Sequence, residues 1–275
     1  MKEPGRVLVL DGDSVSSLDI VRSLGGAGLS VCAAAADRRA ISFRSRFASR
    51  TALYPHPAAA PAQFVEWLDS HLRQNPYELV IPVTDLTVIP ISRNYEHFSR
   101  LTKLATERYE VMEVVYDKSK TIRLAQDVGV PVPMSTSVTS EEQLHDVAGS
   151  LSYPVVCKPS RSMIWSNGAG RGLSVFYAFT PSDLIARATP LMAICPIIIQ
   201  EYHRGKGIGL ELLADEGAIL QEFQHERLHE IPLTGGGSTY RVSVPVDPHL
   251  RGYASALLSR LAWTGVAMVE FKVHE

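Results

Sequence analysis

Residues Tyr153 to Tyr177 read YPVVCKPSRSMIWSNGAGRGLSVFY, which predicts a strand, a flexible loop and a second strand. The first strand is apolar and β-branched and carries Lys158 at its end. The loop from Ser160 to Gly172 contains three glycines, three serines and two arginines. Glycine lets backbone N–H groups approach an anion closely, and arginine adds positive charge. The stretch therefore fits a phosphate-binding loop, and it also fits an ordinary flexible hairpin.

The composition of the whole chain indicates a globular protein of two or three domains. Of its 275 residues, 45% are apolar and 20% are charged. A formal net charge of −2 argues against a protein that binds nucleic acid or acidic membranes without sequence or lipid specificity. The three cysteines are far apart and form no CxxC pair, which favours a reducing compartment. Asp11 interrupts the first apolar segment too early for a signal peptide, and no apolar run is long enough to span a membrane. We therefore expect a cytoplasmic protein without a membrane partner.

A strand–helix–strand pattern opens the chain and predicts a parallel sheet of Rossmann type. The strands are residues 6–10 and 29–34, with an amphipathic helix between them. The turn after the first strand lacks GxGxxG and contains Asp11 and Asp13, which would repel a pyrophosphate. Further apolar patterns predict a helix over 64–72, a strand over 79–82 and a helix over 89–98. We expect residues 1–115 to form one α/β domain.

Helix-start signals divide the middle of the chain. Asp117 is placed to cap a helix over 118–128, and Thr139 begins a capping box for a helix that ends near residue 150. Thr180 with Pro181 predicts a third helix. An apolar strand over 197–200 follows.

This order of motifs resembles the ATP-grasp superfamily, in particular its carboxylate–amine ligase branch, which includes carbamoyl-phosphate-synthase-like and D-aspartate-ligase-like proteins. The resemblance rests on four motifs, in order DKSKT (117–121) with GVPVP (129–133), PVVCKP (154–159), the glycine loop, and IIIQEY (197–202). It implies a mixed α/β and α+β fold, with a Rossmann-like pre-ATP-grasp domain over 1–115. A two-subdomain ATP-grasp fold would follow, with the lid subdomain over 116–200 and the C-terminal subdomain over 201–275.

The resemblance also implies site residues. Phosphates would be held by Lys120 and Lys158, and the hinge that faces adenine would be Gln200, Glu201 and Tyr202. The lid residues would be Ser160, Asn167, Gly168, Gly170 and Gly172; the acid nearest the ribose region would be Glu211, and the metal ligand Glu270. Arg227 and Arg241 are candidates for a substrate carboxylate or acyl phosphate, because guanidinium binds both in a bidentate way. For each of these residues a solvated side chain or a structural salt bridge is the alternative.

The function implied is an ATP-dependent ligase with Mg²⁺, or Mn²⁺ as an alternative, that joins a carboxylate to an amine through an acyl phosphate; a homodimer is compatible with it. Relatives carry Glu-x-Asn-x-Arg on a following strand, and this pattern does not occur here. We therefore expect a fold truncated at its C-terminal end, for which Glu275 is a weak substitute ligand. A nucleotide-binding module without turnover is the alternative function.

A third hypothesis comes from the segment His225–His229, HERLH, which has the form of the zinc-protease motif HExxH. That chemistry needs a helix that places both histidines on one face. Pro232 and the glycines 235–237 follow closely and argue against a continuing helix. A zinc hydrolase is thus a remote alternative.

Overall fold

The computed structural model describes residues 5–166, 169–231 and 237–274. These residues form two compact units, Met1–Met112 with Met163–Gly172, and Glu113–Ser162 with Leu173–Glu275. The finer division of the second unit at residue 200 stays a prediction. Within the described ranges, the helices are too short or too polar to cross a membrane.

The first unit is built on a five-stranded parallel sheet in the order β3-β2-β1-β4-β5, which confirms the Rossmann-type prediction. The strands are β1 (Arg6–Val9), β2 (Ser30–Ala35), β3 (Ala48–Leu53), β4 (Leu79–Ile81) and β5 (Lys103–Leu104). The helices are α1 (Val15–Gly26), α2 (Pro61–Gln74), α3 (Asp85–Arg93), α4 (Tyr95–Phe98) and α5 (Tyr109–Tyr116), the last of which continues into the second unit, and a 3₁₀ turn spans Ile41–Arg44. The fully buried Leu8, Phe64 and Phe98 pack in the core of this unit.

Asp11 closes the edge of this sheet where β1 and β4 end. Its Oδ2 accepts hydrogen bonds from the backbone N–H groups of Val83 at 3.0 Å and Thr84 at 2.7 Å, and from Thr87 Oγ1 at 2.6 Å. Strand order reverses between β1 and β4, and such crevices are where open α/β sheets bind phosphates. The carboxylate of Asp11 therefore accepts hydrogen bonds from the free backbone N–H groups at the start of α3.

The second unit begins with a four-stranded antiparallel sheet in the order β10-β7-β11-β6. Its strands are β6 (Ser135–Val138), β7 (Val155–Pro159), β10 (Phe176–Ala178) and β11 (Ile197–Glu201). Helices α6 (Lys118–Asp127), α7 (Glu141–Ala148) and α8 (Pro181–Met192) belong to the same unit. The core contains Cys157, Ile197 and Ile199 because alternate residues of these apolar strands face α7 and α8.

Two local predictions in this part of the chain need correction. Ser140, not Thr139, caps α7: its hydroxyl accepts from the backbone N–H of Gln143. Gln143 in turn accepts from the backbone N–H of Thr139, so the capping box is shifted by one residue. The glycine loop is a hairpin, β8 (Met163–Ser166) and β9 (Ala169–Gly172), and it belongs to the first unit.

A second antiparallel sheet, in the order β14-β13-β12-β15, completes the second unit. Its strands are β12 (Lys206–Asp215), β13 (Ala218–Ile231), β14 (Gly237–Val244) and β15 (Gly265–Val273), and α9 (Pro248–Leu261) contacts β12 and β13. Asp247 caps α9: its side chain accepts from the backbone N–H groups of His249 and Leu250. Strand β13 runs from Ala218 to Ile231, so HERLH lies within it.

Candidate functional site

The end of β7 carries Lys158 into a hydrogen-bonded row of side chains. Lys158 Nζ donates to Gln200 Oε1 on β11 at 2.6 Å, and Gln200 Nε2 donates to Ser135 Oγ on β6 at 2.9 Å. Gln200 is buried, because β11 lies in the middle of its sheet between β7 and β6. Three adjacent strands thus fix the position of one ammonium group.

The environment of Lys158 is unfavourable for its charge. Burial lowers the pKa of Lys158, and repulsion from Lys118 lowers it further. An anion that bound beside this ammonium would relieve both effects, since an opposite charge favours the protonated form. The position is therefore suited to a phosphate oxygen.

Lys118, which was not among the predicted site residues, contacts the chain just after β7 and lies close enough to Lys158 to repel its charge. Its backbone N–H donates to Ser160 O at 2.8 Å, and its Nζ donates to Ser162 Oγ at 2.8 Å. Ser160 directly follows β7, so α6 begins against the chain that leaves Lys158. Two lysines converge on the strand end from separate elements.

Lys120 has a different environment. Its Nζ donates to Glu113 Oε2 at 2.5 Å, and that hydrogen bond is the main reason why the pKa of Glu113 is lowered. Glu113 also forms an ion pair with Arg161 at 3.3 Å, and Arg161 Nε donates to Asp117 at 3.2 Å. Lys118 and Lys120 are two residues apart, roughly 200° around a helix of 3.6 residues per turn, so they leave α6 in nearly opposite directions.

The predicted hinge residues lie at the end of β11, which includes Gln200 and Glu201, and Tyr202 follows it. Glu201 is anchored twice to Met134: its backbone N–H donates to Met134 O at 2.9 Å, and its Oε1 accepts from Met134 N at 3.0 Å. The ring of Tyr202 makes an edge contact with Tyr177 on β10, with centroids 6.0 Å apart. The hinge is thus held in place, and its contact with adenine stays a prediction.

A cleft of about 590 Å³ opens beside β15 within the second unit. Most of its wall is apolar, from α6, the 130–133 segment, α9 and β15; the lining residues include Leu124, Pro131, Leu257, Trp263, Val269 and Phe271. Glu201 and Glu270 also line it, so the hinge and the predicted metal ligand border the same cavity. The size is that of a small-molecule site.

Glu270 forms an ion pair with Arg227, which crosses from β13 over β12. Arg227 Nη1 also lies 3.6 Å from Glu230 Oε1, and Lys272 Nζ donates to Glu230 Oε2 at 3.1 Å. Arg241 lies directly opposite Arg227 in the β13–β14 ladder and is exposed. One face of this sheet therefore carries a dense set of opposite charges.

Carboxylate oxygens are the ligands that Mg²⁺ prefers, and Glu230 and Glu270 already converge on one cationic group, the guanidinium of Arg227. Both acids are thus of a chemical type that binds divalent cations, and in this structure both are paired with Arg227.

Glu211, the acid predicted nearest the ribose, lies beside His225. Its Oε1 is 2.8 Å from His225 Nδ1, outside hydrogen-bond geometry, and His225 is almost fully buried. A Cβ on Gly209 would run into the imidazole, so the glycine is needed for the ring to lie across β12. The environment offers no support for a ribose contact by Glu211, which stays a prediction.

HERLH does not have the geometry of a zinc-protease motif. The segment is a strand with register shifts around His229, and His229 stacks on Tyr240. In the described ranges no group of three His, Cys, Asp or Glu side chains could hold a metal ion. The helix that HExxH chemistry requires is absent from residues 225–229, because their ladders with β12 and β14 fix them as a strand.

The lid residues are only partly described, since Asn167 and Gly168, like Glu275, lie outside the described residues. Ser160 is buried and its backbone N–H donates to Pro196 O at 3.0 Å. The Gly170 N–H donates to Ala58 O at 2.7 Å, within the first unit. The structure thus brings together Lys118, Lys158, Ser160 and Gln200, and separately Arg227, Glu230 and Glu270.

Known proteins of similar sequence are carbamoyl phosphate synthase large chains. The chain is 24% identical over 175 residues to that of Clostridium acetobutylicum, covering 62% of this chain and 16% of that protein. It is 28% identical over 193 residues to that of Methanoculleus marisnigri, covering 68% and 18%. The chain thus spans less than a fifth of the length of these relatives. No protein-family model matches it.

Solved structures share the whole fold at low sequence identity. The L-amino acid ligase from Bacillus licheniformis superposes with a TM-score of 0.71 at 15% identity, over 99% of this chain and 64% of that one. An ADP complex of N5-carboxyaminoimidazole ribonucleotide synthetase gives a TM-score of 0.72 at 14% identity, over 98% and 67%. The fold is therefore that of the ATP-grasp superfamily, as the sequence resemblance predicted. The sequence matches to carbamoyl phosphate synthase large chains point to the same resemblance.

Proposed function

We propose that this chain carries the nucleotide site of an ATP-dependent ligase that joins a carboxylate to an amine. The observation that supports it most is the approach of Lys118 and Lys158 to the same strand end, in a fold whose solved relatives include an ADP complex. Neighbouring lysines repel each other, and the repulsion from Lys118 lowers the pKa of Lys158, so an anion bound beside them would be stabilised. A nucleotide phosphate chain is such a ligand.

The nucleotide would bind along the second unit. Lys158 and Lys118 would neutralise phosphate oxygens, and we propose Lys118 in place of Lys120 because Lys120 is paired with Glu113. The backbone of Gln200 to Tyr202 would face adenine. Ser160, two residues after Lys158 in the second unit, would lie beside the phosphates.

The metal would be Mg²⁺, or Mn²⁺, held by Glu270. A bound divalent cation would supply charge neutralisation between phosphate oxygens. Glu270 is suited to this because its side chain is about half exposed and lines the same cleft as Glu201. Arg227 and Arg241 would bind the substrate carboxylate or the acyl phosphate.

The proposed reaction transfers the γ-phosphoryl group of ATP to the substrate carboxylate and releases ADP. The amine nitrogen then attacks the carbonyl carbon of the acyl phosphate. The C–N bond forms, the C–O bond to phosphate breaks, phosphate leaves with that electron pair, and the nitrogen loses a proton to solvent. The chain contributes positioning and electrostatic stabilisation by its lysines and arginines. We propose small-molecule substrates and a cytoplasmic location.

The test is ADP release, coupled to a spectroscopic readout, with a panel of carboxylates and amines. The proposal predicts release that needs one carboxylate and one amine together, and that is lost in Lys158→Ala. A nucleotide-binding module without turnover is the second candidate, because the carboxylate of Glu270 is already paired with the guanidinium of Arg227. If the chain binds ADP but forms none from ATP with any pair of carboxylate and amine, it is a nucleotide-binding module and the ligase proposal is wrong.

A further inference from the structure

The three residues that follow β7, Ser160 to Ser162, are all bonded to the segment that leads from α5 into α6. The backbone N–H of Lys118 donates to Ser160 O at 2.8 Å, and Lys118 Nζ donates to Ser162 Oγ at 2.8 Å. Arg161, between the two serines, bonds to two acids of the same segment. All of these residues belong to the second unit. The chain that leaves Lys158 is therefore attached to the start of α6 at three consecutive positions.

The side chain of Arg161 joins the two acids. Its Nε donates to Asp117 Oδ2 at 3.2 Å, and its Nη2 donates to Glu113 Oε1 at 3.3 Å. The guanidinium also lies over the ring of Tyr116, 5.7 Å from the centroid. The side chains of Arg161 and Asp117 are only 32% and 14% exposed, so solvent screens this pair less than a pair on the open surface. A guanidinium can bond to two acids in fixed directions, whereas an ammonium is a flexible point charge.

These contacts oppose a repulsion between two lysines. Burial lowers the pKa of Lys158, and repulsion from Lys118 lowers it further. Two like charges tend to separate unless other contacts keep their chain segments together. Asp117 immediately precedes Lys118, and Arg161 immediately follows Ser160. The ion pair of Arg161 with Asp117 therefore lies directly beside the backbone hydrogen bond that joins the two segments.

We propose that Arg161 is a positioning residue of the phosphate site, which holds Lys118 beside Lys158 through its two ion pairs. This inference rests on the proposed function, because it concerns the same two lysines. It gives Arg161 a role other than direct contact with phosphate. The guanidinium is bonded to acids, and its effect on a ligand passes through Lys118.

The two roles predict opposite results for Glu113→Gln. If Arg161 positions Lys118, loss of the Glu113 carboxylate removes one of the two ion pairs and weakens ADP binding. If Arg161 instead bound phosphate itself, the same substitution would release its guanidinium and remove a negative charge, so ADP binding would become tighter. The sign of the change therefore separates a positioning residue from a phosphate ligand.

The first measurement is ADP affinity by calorimetry on the whole chain. Arg161→Met should weaken ADP binding at least fivefold, and Glu113→Gln at least threefold. The double variant should bind within twofold of Arg161→Met, because effects that act through one contact are not additive. Arg161→Lys keeps the charge but not the fork, and its affinity should lie between the wild type and Arg161→Met. The matched control is Arg123→Met, which removes an exposed arginine of α6 and should change the affinity less than twofold.

The second measurement needs no nucleotide. It follows the pKa of Lys158 by nuclear magnetic resonance of labelled lysine side chains, with the signal assigned by its loss in Lys158→Ala. In folded Arg161→Met this pKa should rise, because Lys118 is no longer held beside Lys158. A loss of overall stability alone would not move it. Where Arg161→Met does not fold, Glu113→Gln and Arg161→Lys should show the same rise to a smaller extent.

An unchanged pKa of Lys158 in these variants, or tighter ADP binding in Glu113→Gln, overturns the inference. Failure of the wild type to bind ADP refutes the proposed function instead. In that case the pKa of Lys158 without nucleotide still decides whether Arg161 positions Lys118.

Discussion

Lys158 Nζ donates a 2.6 Å hydrogen bond to Gln200 Oε1 on the neighbouring strand. The bond joins the residue that would bind phosphate to the first residue of the hinge, 42 positions later in the chain. It fixes the direction of the ammonium group near the end of β7, so the side chain would lose little conformational entropy when a phosphate binds.

Lys118 and Lys120 should differ sharply in their effect on nucleotide binding. Lys118→Met should weaken ADP binding at least tenfold, because hydrogen bonds to charged groups contribute about 1.5–3 kcal/mol. Lys120→Met removes only a half-exposed ion pair with Glu113 and should leave ADP affinity within twofold. Calorimetric titration of both variants makes the comparison, and the reverse ranking would restore Lys120 as the phosphate ligand.

Nucleotide affinity should fall at alkaline pH. Burial and Lys118 lower the pKa of Lys158 in the free protein, and a bound phosphate would raise it. Affinity is therefore full below the free-state pKa and is lost as the pH rises from there through the bound-state pKa. ADP titrations across neutral to alkaline pH measure this limb, and proton uptake on binding appears in buffers of different ionisation enthalpy.

Lys118→Met provides the control for that pH dependence. Removing the neighbouring charge raises the pKa of Lys158, so the limb should move to higher pH even though the plateau affinity drops. A flat profile in the wild type, or a limb that moves to lower pH in the variant, would show that Lys158 does not control binding.

Gly170 should be more sensitive to substitution than Gly172, two residues along β9. A Cβ on Gly170 would lie 3.1 Å from the Ala58 Cβ and disturb the backbone hydrogen bond to Ala58 O, whereas a Cβ on Gly172 meets no heavy atom within 4 Å in the described structure. Gly170→Val should accelerate amide hydrogen exchange in the 163–172 hairpin. Gly172→Val should not.

Ala58→Gly gives the matching rescue. Combined with Gly170→Val, it removes the methyl group that the new side chain meets and should slow hairpin exchange again. Exchange in the double variant as fast as in Gly170→Val would mean that the Ala58 contact does not hold the hairpin.

Asp11 should be a major determinant of the stability of the first unit. Asp11→Ala leaves three buried or half-buried donors without their acceptor and should lower the free energy of unfolding by about 3 kcal/mol. Asp11→Asn keeps an acceptor oxygen and should lose less, and the exposed Asp13→Asn is the control. Urea unfolding followed by circular dichroism gives these differences. Equal stability of Asp11→Ala and Asp13→Asn would show that the hydrogen bonds of Asp11 do not stabilise the first unit.

The same carboxylate should give a pH signature. Burial raises the pKa of Asp11 against the opposing effect of its hydrogen bonds. A raised pKa means that its contribution to stability is fully present below the unfolded pKa and is lost as the pH rises through the folded pKa. The stability of the wild type relative to Asp11→Asn should therefore increase on acidification, and a constant difference would exclude this effect.

Local sequence signals were enough to predict strands β7 and β11 and most of the helices. The apolar runs at 155–157 and 197–199 are buried strands, and Asp117 and Thr180 cap helices as their side-chain chemistry indicated. The parallel sheet followed from the opening strand–helix–strand pattern. Such features depend on residues close together in the chain, so a single sequence records them.

Features set by distant neighbours were missed. The direction of Lys118 depends on which side of α6 meets Ser160, and both lysines stand in the same helical turn. The extension of β13 through HERLH comes from its ladders with β12 and β14 and not from its polar composition. The ion pair of Arg227 with Glu270 joins residues on two strands separated by a third, and sequence spacing carries no signal for it.

The most direct test of the account is the affinity for ADP of folded Lys158→Ala beside the wild type, measured by calorimetry. Lys206→Ala, which removes a lysine paired with Glu226 on β13, is the control for loss of one positive charge. The account predicts that the wild type and the control bind ADP and that Lys158→Ala binds at least a hundredfold more weakly or not at all. Equal affinity in all three proteins would contradict the assignment of Lys158 to a nucleotide site.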